Sequence, residues 1–149
     1  MTNKEQATRR LGIAEVTTLL DAHFPQLNAP GKLFLIEDLA PGRASLRLRY
    51  GDHLLRPGGT ISGPAMFTLA DVAVYVVLLA DRGEAALQAV TTSLNINFLS
   101  RPGPGDLIAH ARLLKAGRRL SVGEVDIISA ATTDMVGHAT ATYAMPPEK

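Results

Sequence analysis

The sequence predicts an α+β domain in which a curved antiparallel sheet wraps around one long helix. Three observations carry this. The run Pro64 to Arg82 is apolar nearly all round, as suits a helix covered by a sheet. The later segments alternate with period two. Short turns separate them, so successive strands should run antiparallel.

The elements follow in order. Glu5 to Phe24 reads as a first helix, with Leu11, Val16, Leu19, Leu20 and Phe24 at helical spacing and Pro25 ending the pattern. Asn28-Ala-Pro-Gly31 breaks the chain, and residues 1–30 are expected to form a helical extension to a domain spanning 31–149. Lys32 to Asp38 is a short strand. Arg43 to Tyr50 alternates, with Ala44, Leu46, Leu48 and Tyr50 facing one way and Arg43, Ser45, Arg47 and Arg49 the other. Gly51 to Ser62 is a loop. Ser62 or Gly63 caps the long helix, Pro64 suits its first turn, and Arg82-Gly83 closes it. Val90 to Leu99 places Leu94, Ile96 and Phe98 on one face and Ser93, Asn95 and Asn97 on the other. Leu107 to Leu114 and Leu120 to Ser129 form a hairpin around Ala116-Gly117, and Met135 to Ala144 is the last strand.

Composition narrows the function. The 149 residues suffice for one domain with a core, and 46% apolar against 19% charged residues is a globular balance. A net charge of +1 gives no electrostatic case for nucleic acid or an anionic membrane. The absence of cysteine excludes disulfides, thiolate metal sites and cysteine nucleophiles, and is compatible with the cytoplasmic location expected. MTNKEQATRRLG lacks the apolar core of a signal peptide. Pro64 to Ala80 falls short of the ~18 residues of a spanning helix and contains Thr68 and Asp71, so a buried core helix is the better reading.

Several chemistries fall away. Ser62 lacks the flanking glycines of a nucleophile elbow. His23, His53, His110 and His138 have no metal-ligand spacing, and Gly58-Gly59 makes no dinucleotide or phosphate-loop fingerprint. Asp71 remains, a carboxylate within an apolar helix. It is either structural, bonded to Thr68, Tyr75 or a partner chain, or functional, since partial desolvation strengthens a carboxylate as a general base. The helix start is the second feature. Pro64 offers no N–H, so the Gly63 amide is the natural donor to an anion or developing oxyanion. Eight residues of helix separate Gly63 from Asp71, about 12 Å at ~1.5 Å per residue. One carbonyl cannot touch both in one chain. If they cooperate, Asp71 of one subunit must face Gly63 of another, as a two-fold dimer would arrange twice.

These residues resemble the hotdog-fold acyl-CoA thioesterases, in particular the branch typified by phenylacetic acid degradation proteins (PaaI-like). That branch has the pattern N-x-x-G-T-x-H-G-G and an acidic residue nine positions after the histidine. Here Arg56-Pro-Gly-Gly59-Thr60-Ile-Ser62-Gly63-Pro64 aligns with it, and Asp71 lies nine after Ser62. The strand Val90 to Phe98 and the stretch Leu114 to Leu120 are similar too, and the likeness covers about Lys32 to Met145. The resemblance implies hydrolysis of an acyl-CoA thioester by a homodimer or a tetramer of two dimers. It makes Asp71 the base or nucleophile, Gly63 N–H the carbonyl donor, and Thr91 an aid to orienting water. It places Ser93 and Phe98 at substrate-contacting positions. Lys115, Ala116, Gly117, Arg118, Arg119 and Leu120 match the stretch that holds the CoA nucleotide; read without the resemblance, this is a solvated hairpin tip. No metal or cofactor is implied, CoA being part of the substrate.

Two positions depart from the pattern: Arg56 replaces its asparagine and Ser62 its histidine. Arg56 could pair with a neighbour's Asp71 or with an acyl carbonyl or carboxylate. Leu54, Leu55, Met66, Phe67 and Tyr75 are either acyl-pocket lining or core. Three rivals stand beside hydrolysis: a non-catalytic acyl-CoA-binding module, a hotdog hydratase or dehydratase, which generally needs a site histidine, and a purely structural oligomer.

Overall fold

The computed structural model describes residues 9–28 and 33–147. A first helix, α1 (Ile13–His23), leads through a helical turn at Pro25–Asn28 to strands β1 (Phe34–Ala40) and β2 (Arg43–Leu48). Two short strands, β3 (Leu55–Arg56) and β4 (Thr60–Ile61), make a small hairpin before the long helix α2 (Gly63–Arg82). Strands β5 (Val90–Phe98), β6 (Leu107–Ala116), β7 (Leu120–Ser129) and β8 (Met135–Ala144) follow. The six long strands form one sheet in the order β1-β2-β6-β7-β8-β5, antiparallel at every pairing.

Helix α2 lies on one face of this sheet. Its buried side chains include Leu69, Val74, Val76, Val77, Leu78 and Leu79, each with no exposed surface. By length and composition α2 could cross a membrane, but here it is the core, packed against β2, β6, β7 and β8. The sheet supplies Leu46, Leu48, Leu107, Ala109, Val125 and Ile127 to the same core. Close packing also explains Gly123: a Cβ there would stand 3.1 Å from Val74.

The first helix is shorter than its periodicity suggests. Glu5 to Thr8 lie outside the described residues, and Arg9 to Gly12 are not helical. Gly12 caps α1, and the Glu15 side chain accepts the Gly12 N–H at 3.2 Å. The helix buries Val16 and Leu20 in the core shared with α2. Lys32 lies outside the described residues, so the first strand is seen from Phe34, and it runs two residues beyond Asp38 to Ala40. Strand β2 stops at Leu48, before Tyr50, whose N–H is taken by Asp106 Oδ1 at 2.7 Å. That bond turns the chain into the loop that carries Arg56.

Candidate active site

Asp71 is half-buried midway along α2, and two hydroxyls hold one of its oxygens. Thr91 Oγ1 and the Tyr143 phenol each donate to Oδ1 at 2.6 Å. Tyr143 OH also reaches the Asp71 carbonyl oxygen at 2.9 Å. Among the described residues no donor reaches Oδ2. The expected structural partners of Asp71 within the chain are therefore corrected. Thr68 turns its hydroxyl back to Pro64 O at 3.0 Å, a common habit of helical threonine, and Tyr75 OH donates to Leu87 O at 2.6 Å.

Sheet register explains how Thr91 meets Asp71. Leu94, Ile96 and Phe98 pair with Ala141, Ala139 and Gly137, on the helix side of the sheet. Strict alternation would then put Thr91 on the outer face with Ser93. A register shift between Thr91 and Ser93 resets the phase. Thr92, the extra residue, donates its hydroxyl to Thr142 O at 3.2 Å. Thr91 thus sits opposite Tyr143 on the helix side, while Ser93 pairs with Thr142 and faces away from Asp71.

Burial pushes the Tyr143 phenol far above the ordinary tyrosine range, and the neighbouring Asp71 charge adds to the effect. Tyr143 therefore stays protonated and keeps donating. Tyr75 stacks on Tyr143 with centroids 6.2 Å apart, and Phe24 meets Tyr75 edge-on at 6.4 Å. These rings, with Leu27, Val72, Leu87 and Val90, wall a cavity of about 440 Å³ at Asp71.

Gly63 lies elsewhere. It is the first residue of α2, Ser62 is the cap, and Ser62 Oγ accepts the Ala65 N–H at 3.3 Å. Among the described residues the Gly63 N–H meets no acceptor. The Phe98 ring lies so close that a Cβ on Gly63 would stand 3.2 Å from it. Gly63 and Phe98 line a second cavity of about 300 Å³ with Arg56, Met66 and Arg101. The two cavities share no lining residue. Within one chain the donor and the acid are thus separate, as the ~12 Å spacing requires.

The hairpin Lys115 to Leu120 lies at the Arg82 end of α2. Arg82 donates to Gly117 O at 2.8 Å and to Ser121 Oγ at 3.2 Å. Gly117 is required there, because a Cβ would fall 2.3 Å from Leu120 O. Lys115, Ala116, Arg118, Arg119 and Leu120 are exposed. Thr91, Tyr143 and Ser121 lie in register across β5, β8 and β7, so the hairpin begins about two strand spacings, ~10 Å, from Thr91. Of the apolar residues singled out in the sequence, Tyr75 lines the acid cavity, Met66 the Gly63 cavity, and Leu54 a third; Leu55 is half-buried and Phe67 is exposed.

Two features escape sequence spacing. Tyr143 stands 72 residues from Asp71 and is brought to it by β8. On the outer sheet face β7 and β8 gather Glu124, Asp126 and His138, whose ligand-type atoms lie within 4.8 Å of one another. Glu124 is already paired there with Arg112 at 3.0 Å.

A thioesterase superfamily model matches residues 58–136. A candidate esterase of Halobacterium salinarum is 33% identical over 102 residues, 66% of this chain and 67% of that one. Human acyl-coenzyme A thioesterase 13 is 27% identical over 114 residues, 75% of this chain and 79% of that one. The crystal structure of a candidate thioesterase from Silicibacter sp. TM1040 superposes with a TM-score of 0.81 at 38% identity, covering 95% of this chain and 97% of the other. The phenylacetic acid degradation protein PaaI of Thermus thermophilus, at 21% identity and a TM-score of 0.67 over 87% of this chain and 99% of that one, shares the fold. The sheet wrapped on α2 is the hotdog fold, and the chain belongs to the thioesterase superfamily.

Proposed function

We propose that this chain hydrolyses an acyl-CoA thioester, with Asp71 of one subunit activating water and the Gly63 N–H of a second subunit polarising the carbonyl. The carrying observation is the state of Asp71: Oδ1 is held by Thr91 and Tyr143, and Oδ2 has no donor among the described residues. A carboxylate fixed by one oxygen can present the other to water. The water attacks the thioester carbon, its proton passes to Asp71, and the C–S bond breaks to give the free acid and the CoA thiolate. Negative charge on the carbonyl oxygen is met by the unpaired amide and positive dipole at the start of α2.

A second copy supplies that amide in this reading. Among the described residues strand β5 pairs only with β8 and so forms one edge of the sheet, and an open edge of nine residues invites pairing. Val90, Phe98 and Leu99 along it are 59%, 54% and 55% exposed, and Phe67 on α2 is 41% exposed. A two-fold partner on this side covers these residues and carries Gly63 toward the other chain's Asp71. Thr91 acts through Asp71 as a positioning residue. Arg56, beside Gly63, reaches the acyl carbonyl or a partner carboxylate. Phe98 packs the carbonyl end, Ser62 holds the helix start, and Ser93 lies on the face turned away from the acid. Lys115, Arg118 and Arg119 suit the CoA phosphates.

Release of CoA from acyl-CoA esters tests this directly. Asp71→Asn should lower kcat by about 10²–10⁴-fold; equal rates in the two proteins remove Asp71 from the chemistry. Binding of the ester without turnover by the wild type would favour a non-catalytic binding module.

A further inference from the structure

The acid cavity does not end at Asp71. A smaller cavity of about 230 Å³ adjoins it, and Leu27 and Thr68 line both. Its walls are mainly apolar: Leu33, Phe34, Leu48, Leu54 and Ala65, with Gln26 and His53 at its margin. Asp71, Thr68 and Ala65 succeed one another at three-residue steps, so Thr68 adjoins each of the other two along a row that slants around α2. From Asp71 to Ala65 the axial distance is about 9 Å. Thr68 bonds its hydroxyl to Pro64 O, so its polar group is satisfied on the helix. The cationic hairpin lies the other way, at the Arg82 end of α2. A thioester with its carbonyl at Asp71 and its nucleotide on the hairpin would therefore send its acyl group toward Ala65.

We infer, resting on the hydrolase reading, that the acyl group is a linear chain running from Asp71 past Leu27 into the Leu33–Leu54 cavity, and that Leu27 gates entry to that cavity. An axial separation of about 9 Å is more than a butyryl chain spans and calls for a longer chain such as octanoyl. A small aryl acyl group would fill only the first cavity, against Phe24 and Tyr75, and leave the second unused.

The test is kcat/KM of the full chain for butyryl-, octanoyl- and phenylacetyl-CoA, with thermal melting as a check on folding. Each buried methylene is worth roughly fourfold, so the four extra methylenes of octanoyl-CoA should raise it above butyryl-CoA by roughly two hundredfold. Leu27→Trp, at the junction, and Ala65→Phe, in the far cavity, should each cut that ratio at least tenfold. Two depths keep the test decisive if one variant is unstable. A wild-type ratio near one, or variants that keep the ratio, overturns the channel. A preference for phenylacetyl-CoA untouched by both variants overturns it in favour of an aryl group. If no ester turns over, hydrolysis fails, and the inference is judged by the same ratio in calorimetric binding of butyryl- and octanoyl-CoA.

Discussion

The Tyr143 hydroxyl lies 2.6 Å from Asp71 Oδ1, so a phenol on the penultimate residue of β8 fixes the one carboxylate that α2 places toward the acid cavity. Thr91 reaches the same oxygen from β5. Neither hydroxyl needs to touch substrate to matter: each decides where the unbound oxygen points.

Removing either hydroxyl should therefore loosen the base without removing it. Tyr143→Phe and Thr91→Val should each lower kcat by about tenfold to a hundredfold, the worth of a hydrogen bond to a charged group, with a smaller effect on KM. Thr91→Ser should restore most of the rate. Because both donors act on one oxygen, the double variant should lose less than the product of the single losses. Steady-state kinetics on the four proteins check this, and full additivity would show that the donors act independently.

The Tyr143 pKa is raised in the fold, so the folded protein keeps a proton that the unfolded chain gives up near pH 10. The stability that depends on this proton is present below about pH 10 and declines as pH rises through that value. Melting temperatures between pH 8 and 11 should fall at the alkaline end, and Tyr143→Phe should flatten that fall. Tyr75 is raised by burial as well and keeps part of the slope in the variant.

If the hairpin holds CoA phosphates, Arg118→Ala and Arg119→Ala should raise KM for an acyl-CoA several-fold while leaving kcat largely intact. Rising salt should narrow the gap between variants and wild type, since exposed charge pairs are screened within about 10 Å at 0.1 M salt. Initial rates across a salt series decide it; a KM that ignores both charge and salt assigns the hairpin no nucleotide.

Much of this arrangement is legible in the sequence because period and turn chemistry act locally. The α2 run, the β5 and β8 strands and the hairpin register follow from alternation and glycine placement, and Asp71 stands out as the only charge between Pro64 and Ala80. Tyr143 does not stand out, because its partner is set by strand order, with β8 lying between β5 and β7. Nor does the inward turn of Thr91, which depends on one extra residue, Thr92, that no periodicity announces. The start of α1 is shifted because the Gly12–Glu15 cap outweighs weak periodicity upstream.

The central claim is that one site takes Asp71 and Gly63 from different chains. Co-expression of Asp71→Asn with Gly63→Val, whose side chain would crowd Phe98 and block close approach to the amide, tests it, each variant being expected to lose most activity alone. In a two-fold dimer the mixed species has one site with both defects and one with neither. Random pairing should then restore about a quarter of wild-type activity, because half of the dimers are mixed and half of their sites are intact. Activity no greater than the sum of the two separate variants would place both groups in one chain and contradict the account.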